Sequence, residues 1–266
     1  MRPKLSIVTP SFNQAAFLER TLLSVLDQKY ENLEYIVVDG GSTDGSREII
    51  ERFADRLAWW TSEPDEGQTH GLNKGLRRAT GEIVGFINSD DYYLPGAFVR
   101  AVDAFADTER RWVVGASRFV DERDRVTEVW RPTLPRRPRY RWIVGPVGWP
   151  QPSTFWRRTL FETFGLFRED MHYAFDIEFG LRLALANELP ETIADELAVR
   201  VVHSGAKSWD RTPFEREELQ LLKLHAASLG PLERCAFVVP ALVKQFRYSG
   251  WNPRRRGRLR AAQDDA

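Results

Sequence analysis

Apolar residues fall into short runs cut by polar turns, and these runs alternate with stretches where they recur every three or four positions. Residues 5–10 form the first run and predict a strand ending at the polar turn Ser11-Phe12-Asn13-Gln14. Phe17, Leu18, Thr21, Leu22, Val25 and Leu26 then share one face of a helix that ends near Gln28. A second strand over 33–38 stops at the Gly/Ser/Asp cluster 39–46, whose Ser and Asp side chains suit the start of a helix running to Phe53. Further along, 57–61 predicts a short strand, 69–79 a helix and 83–87 a fourth strand, apolar throughout and therefore buried on both faces. Strand and helix alternating in this way predict an α/β fold, a Rossmann-like, mostly parallel, doubly wound sheet with helices on both faces.

Past a helix over 96–105 the pattern loosens. Segments 112–114, 117–120 and 126–130 predict shorter strands around the turn Glu122-Arg123-Asp124. Residues 131–142 hold five arginines and three prolines, which excludes a helix or an inner strand and leaves a loop. That loop is equally a solvated linker or a flap whose arginines meet phosphate or anionic lipid. Segment 153–156 returns to the sheet, 176–186 and 213–229 predict helices, and 198–202 a late strand ending at His203. Residues 236–248 are amphipathic, suited to packing back on the domain or to a membrane surface. This divides the chain into one domain over 1–227, with halves meeting near residue 106, an amphipathic helix over 228–252 and a basic tail without predicted structure over 253–266.

Composition narrows the class. In 266 residues, Lys+Arg and Asp+Glu balance at 38 each, so bulk charge points to no nucleic acid. The single Cys235 excludes an internal disulfide framework and any cysteine-rich zinc site. The N-terminal residues carry no signal-peptide pattern, and no apolar run is long enough to span a bilayer. The expectation is a cytoplasmic protein, with peripheral contact on the inner face of the plasma membrane as an added expectation.

The candidate chemistry sits at predicted strand ends, where open α/β sheets bind ligands. The fourth strand delivers Asn88-Ser89-Asp90-Asp91, which on its own serves a turn as well as a metal site. The segments Ser6-Ile7-Val8-Thr9-Pro10-Ser11-Phe12-Asn13, Val38-Asp39-Gly40-Gly41-Ser42-Thr43-Asp44-Gly45-Ser46 and Ser62-Glu63-Pro64-Asp65-Glu66-Gly67-Gln68 precede it. With Asn73-Lys74-Gly75, Gln151-Pro152-Ser153-Thr154-Phe155-Trp156, Phe175-Asp176-Ile177-Glu178-Phe179 and His203, the set resembles glycosyltransferase family two over roughly residues 5–210.

That resemblance implies a GT-A fold and an inverting transferase that moves a sugar from a nucleotide diphosphate sugar to a hydroxyl of a glycan or lipid-linked saccharide. It places the nucleotide against Thr9, Pro10, Ser11, Asn13, Asp39, Gly41 and Asp65. The diphosphate falls to Asn73 and Lys74, and the donor's ribose and metal to Asn88, Ser89 and Asp90. An ionised Asp39 only accepts hydrogen bonds, which suits an imide N–H and favours a UDP-sugar. Asp90 and His203 are the implied ligands of a divalent metal, Mn2+ or Mg2+, with the imidazole favouring Mn2+. Asp176 is the implied general base. Trp149, Gln151, His172, Tyr173 and Glu178 are candidates for the acceptor.

Two departures stand out: Asn88 replaces the first Asp of the D-x-D pattern, and Phe175 stands where Glu is common. They are the only support for an alternative, a sugar-nucleotide-binding module without turnover. A dinucleotide-dependent oxidoreductase is disfavoured because the turn after the first strand holds no glycine.

Overall fold

The computed structural model describes residues 2–132, 149–207, 209, 212–226 and 231. Four strands, β1 (Leu5–Ser11), β2 (Leu33–Asp39), β3 (Trp59–Ser62) and β4 (Ile83–Phe86), pair in parallel in the order β3-β2-β1-β4. Alternate residues of these strands feed two separate cores. Leu5, Ile7, Tyr35 and Val37 pack beneath α1 (Ala15–Leu26), α2 (Ser46–Phe53) and α4 (Ala97–Asp103). Val8, Ile36, Val38, Val84 and Phe86 pack beneath α3 (Gln68–Leu76), α5 (Thr159–Phe164) and α6 (Phe175–Leu185). Each fully buried Leu, Ile or Phe contributes about 1.5–3 kcal/mol, so both layers hold the sheet firmly.

Beyond β4 the sheet becomes mixed. β8 (Thr154–Arg157) runs antiparallel to both β4 and β6 (Trp112–Asp121), and β9 (Glu191–Val202) lies parallel to β6. The two-residue strand β5 (Tyr92–Tyr93) pairs with β9, and β7 (Val126–Trp130) forms a hairpin with β6. The predicted break within β6 is absent: one strand passes through Gly115, where the register against β9 shifts. A Cβ at Gly115 would stand 2.6 Å from Leu197, so close approach of β9 explains the glycine. β9 begins seven residues before the predicted 198–202, along a polar edge from Glu191 to Glu196. The predicted 213–229 helix is α7 (Thr212–Ala226).

Most of 131–142, all of 228–252 except residue 231, and 253–266 lie outside the described residues; Arg131 pairs with Glu196 at 2.7 Å. Among the described residues no helix is long and apolar enough to cross a membrane.

Candidate active site

Two loops at the carboxyl ends of β1 and β2 interlock. Asn13, at a positive φ of 51°, donates its backbone N–H to Ser42 Oγ at 2.7 Å and accepts Thr43 N–H through Oδ1 at 2.9 Å. Asp44 accepts the N–H groups of Ala15 and Ser46, capping α1 and α2 with one carboxylate. Asp39 is buried. Its Oδ2 accepts from Gly41, Ser42 and Ser62, while its Oδ1 accepts, among the described residues, only from Ser42 Oγ at 2.5 Å. Gly41 has a φ of 83°, and a Cβ there would stand 3.0 Å from the Pro64 nitrogen, so this turn requires glycine.

Asp65 accepts the Gly67 N–H at 2.8 Å and lies against Gly40 and Gly71. Thr9 turns into the core, its hydroxyl 3.0 Å from the Tyr35 hydroxyl. Pro10 is buried beside it. Among the described residues, Ser11 Oγ is buried with no hydrogen-bond partner. Such a hydroxyl costs about 1–3 kcal/mol unless something else bonds it.

The turn after β4 is tethered from two directions. Thr21 donates its hydroxyl hydrogen to the carbonyls of Ser89 and Asp91, at 2.9 and 2.7 Å. Asp91 faces inward and accepts the Val201 N–H at 3.0 Å. Burial and the neighbouring Asp90 carboxylate push the Asp91 carboxyl well above the usual carboxylate range. Asp90 points the other way. Its Oδ2 is 3.1 Å from His203 Nε2, and the imidazole packs tilted at 33° against Phe17 with ring centroids 4.3 Å apart.

Octahedral metal–ligand bonds of about 2.1 Å put neighbouring ligand atoms about 3 Å apart, so the Asp90–His203 pair fits a shared divalent cation. Among the described residues no cluster of three or more such side chains forms, so diphosphate oxygens and water would complete the shell. Asn88 accepts the Gln68 amide at 2.7 Å and reaches Gln151 at 3.4 Å; Gln151 in turn donates to the Phe86 carbonyl.

Asp176 occupies the first turn of α6, half-buried, with Oδ1 accepting the Ile177 N–H at 2.9 Å. Burial raises its carboxyl to about 6; the Ile177 N–H and the Arg200 guanidinium only partly offset this. That value keeps the group ionised near neutral pH yet basic enough to take a proton. Phe175 beside it is buried in an aromatic cluster, 6.1 Å from Phe86 and 5.3 Å from Phe167, so its departure from Glu serves packing.

The sequence model of the family described as "Glycosyl transferase family 2" matches residues 6–169. The chain belongs to this family. An uncharacterised glycosyltransferase of Mycobacterium tuberculosis is 34% identical over 196 residues, which cover 72% of each chain. S. aureus TarS in complex with UDP-GlcNAc superposes with a TM-score of 0.70 over 94% of this chain and 74% of that one, at 19% identity. The mannosyltransferase PcManGT of Pyrobaculum calidifontis, in complex with GDP-Man and Mn2+, gives 0.67 over 99% and 80%, at 22% identity. Both structures have the GT-A fold that this family 2 glycosyltransferase adopts.

Not every residue singled out in the sequence stands in the cleft of this glycosyltransferase. Asn73 is buried, and its side-chain amide binds Phe167 N–H, Phe167 carbonyl and Glu169, so it anchors the 167–169 loop instead of facing a diphosphate. Lys74 pairs with Glu63 at 2.8 Å on the surface. Glu178 is buried in an ion pair with Arg182 and near His225, which removes it from an acceptor. Trp149 is buried against Trp112, and a Cβ on Gly180 would overlap it at 2.2 Å. His172 is exposed and Tyr173 half-buried, immediately ahead of α6.

Two cations escaped the sequence reading. Arg200 of β9 attracts both Asp91 and Asp176, which puts the turn after β4 and the head of α6 on one charged network. Lys207 donates to Gln68 Oε1 at 3.1 Å and to the His172 carbonyl, and its ammonium lies 4.8 Å from the Tyr173 ring centre. Neither has a periodic or motif signal; only their place after the β9 histidine would mark Lys207.

Proposed function

We propose that this glycosyltransferase inverts the anomeric carbon in a single displacement, moving a sugar from a UDP-sugar to a hydroxyl of a glycan or lipid-linked saccharide. The observation that carries the reading is the Asp90–His203 pair at the turn after β4, linked through Arg200, which attracts Asp91 as well as Asp176, to the Asp176 carboxyl raised to about 6. A nucleoside fits the interlocked β1 and β2 loops. There Asp39 Oδ1 retains acceptor capacity for an imide N–H, and the unpartnered Ser11 hydroxyl gains a partner. The half-chain over about 1–106 is read as the nucleotide half and 107–227 as the acceptor half.

Asp90 and His203 would hold a divalent cation, Mn2+ or Mg2+, which supplies Lewis-acid charge to the departing diphosphate. Asp176 takes the acceptor hydroxyl proton as that oxygen attacks the anomeric carbon; the glycosidic oxygen–carbon bond forms as the bond to the diphosphate breaks. Buried Asp91 holds the β9 end by its bond to Val201, and so keeps His203 beside Asp90. His172, exposed, and Tyr173, half-buried, directly precede α6 and are read as contacts for the acceptor. A peripheral site at the inner membrane face suits a lipid-linked acceptor.

Calorimetric titration with UDP, GDP, TDP and CDP, each with Mn2+ and with chelator, tests the donor side. Metal-dependent binding of UDP alone is expected. Equal binding of all four, or binding indifferent to chelator, would overturn the UDP and metal assignments.

A further inference from the structure

We infer that Glu217, from α7, is a positioning residue for the Asp176 base, acting through the peptide turn 172–174. The inference rests on Asp176 being that base. The Glu217 carboxylate accepts three consecutive backbone N–H groups just ahead of α6: His172 to Oε1 at 2.8 Å, Tyr173 to Oε2 at 2.7 Å and Ala174 to Oε2 at 2.8 Å.

A helix start leaves its first N–H groups without partners, and a residue just before the helix ordinarily caps them. Ala174 occupies that place and has no side chain able to do so. Glu217 instead ties down the three N–H groups that lead into the helix, from a helix more than forty positions later in the chain, the separations being 45, 44 and 43 for the three bonds. A carboxylate there is charge-assisted and sits at the positive end of the helix dipole.

The same turn is gripped from its other side. Lys207 donates to the His172 carbonyl and is attracted electrostatically by Glu217 and Asp176. The two side chains therefore hold one peptide turn by its amides and its carbonyl. Asp176 follows two residues after Ala174, and its Oδ1 is bonded within its own helix turn, so its direction depends on that backbone. Among the described residues, the charged groups that act on Asp176 are Arg200 from β9, Lys207 from the segment after it and Glu218 from α7, while Glu217 holds the peptide turn just ahead of it. A base displaced by about 1 Å loses most of its effect on proton transfer, so the clamp bears on rate rather than on donor binding.

The full-length chain and its E217A, E217Q and D176N variants give the test, read in two ways. Amide exchange over 172–174 is expected to quicken at least tenfold in E217A. The Asp176 carboxyl resonance, assigned by its loss in D176N, is expected to titrate roughly one unit lower, because water and the uncompensated Lys207 charge both favour the ionised form. E217Q keeps an acceptor oxygen and retains most of the amide protection while the midpoint still falls. With UDP-GlcNAc and Mn2+, UDP release by E217A falls at least tenfold in kcat with donor KM within twofold. Wild-type exchange and midpoint in E217A overturn the inference, and if E217A does not fold, an unmoved midpoint in E217Q does the same. UDP release by D176N at the wild-type rate sinks the base reading alone and leaves the clamp standing as a purely structural cap.

Discussion

His203 Nε2 lies 3.1 Å from Asp90 Oδ2, although 113 positions separate the two residues. The contact exists because β5 and β9 pair and because Asp91 bonds the Val201 N–H, which brings the β9 end to the turn after β4. Half the proposed metal site is thus made by strand pairing and half by a local turn.

Replacing His203 with Ala should weaken Mn2+-dependent UDP binding roughly tenfold or more while leaving metal-free binding unchanged. Calorimetry with and without chelator measures both. An H203A protein that binds UDP and Mn2+ as the wild type does would show that Asp90 holds the cation without the imidazole.

Asp176→Asn should keep metal-dependent UDP binding and lose transfer by about 10²–10⁴-fold, the usual contribution of a positioned base. In the wild type, kcat should rise with pH through about 6 as the carboxyl ionises. An acid limb with its midpoint near the ordinary 3.8 would assign that proton to another group.

The same raised value makes a stability prediction of definite sign. The folded carboxyl holds its proton more tightly than the unfolded one, so its favourable contribution is complete below pH 3.8 and is lost as pH rises through about 6. Above that, the ionised, half-buried group costs at most about 3 kcal/mol. D176N should therefore be more stable than wild type at pH 8 and not at pH 4. Chemical denaturation at the two pH values decides it, and equal stabilities at pH 8 would refute the burial argument.

Restoring the family's first aspartate should not improve this protein. Asn88→Asp removes the amide that reaches Asp91 and Gln151, and adds a third carboxylate beside Asp90 and Asp91. A loss of about 1–3 kcal/mol is expected in chelator, partly recovered with Mn2+. A thermal melt in each condition measures it; a more stable apo protein would contradict this account.

Much of this was readable in the residues. Apolar runs such as 83–87 can only be inner strands, and the order of the polar clusters between them carries the family resemblance. The misses share a cause. Tyr92–Tyr93 is too short for any period, and Thr159–Phe164 is barely two turns. Gly115 reads as a break although the backbone merely passes close to Leu197. At the site, motif order singled out Asp90, Asp176 and His203, but polarity alone could not tell that Asn73 and Glu178 point into the protein. Glu217 lies on a charged helix face like any other until the fold brings it to the head of α6.

The place of β9 in the sheet also sets a timetable. β1 to β4 and helices α1 to α3 all lie within the first hundred residues, so they leave the ribosome well before β9. His203 cannot meet Asp90 until 113 more residues have been made, roughly 6 to 20 s later at ordinary rates of synthesis. For that interval the nascent chain lacks the imidazole half of the proposed metal site. A ribosome-bound chain is thus expected to acquire its metal response only after β9 has emerged.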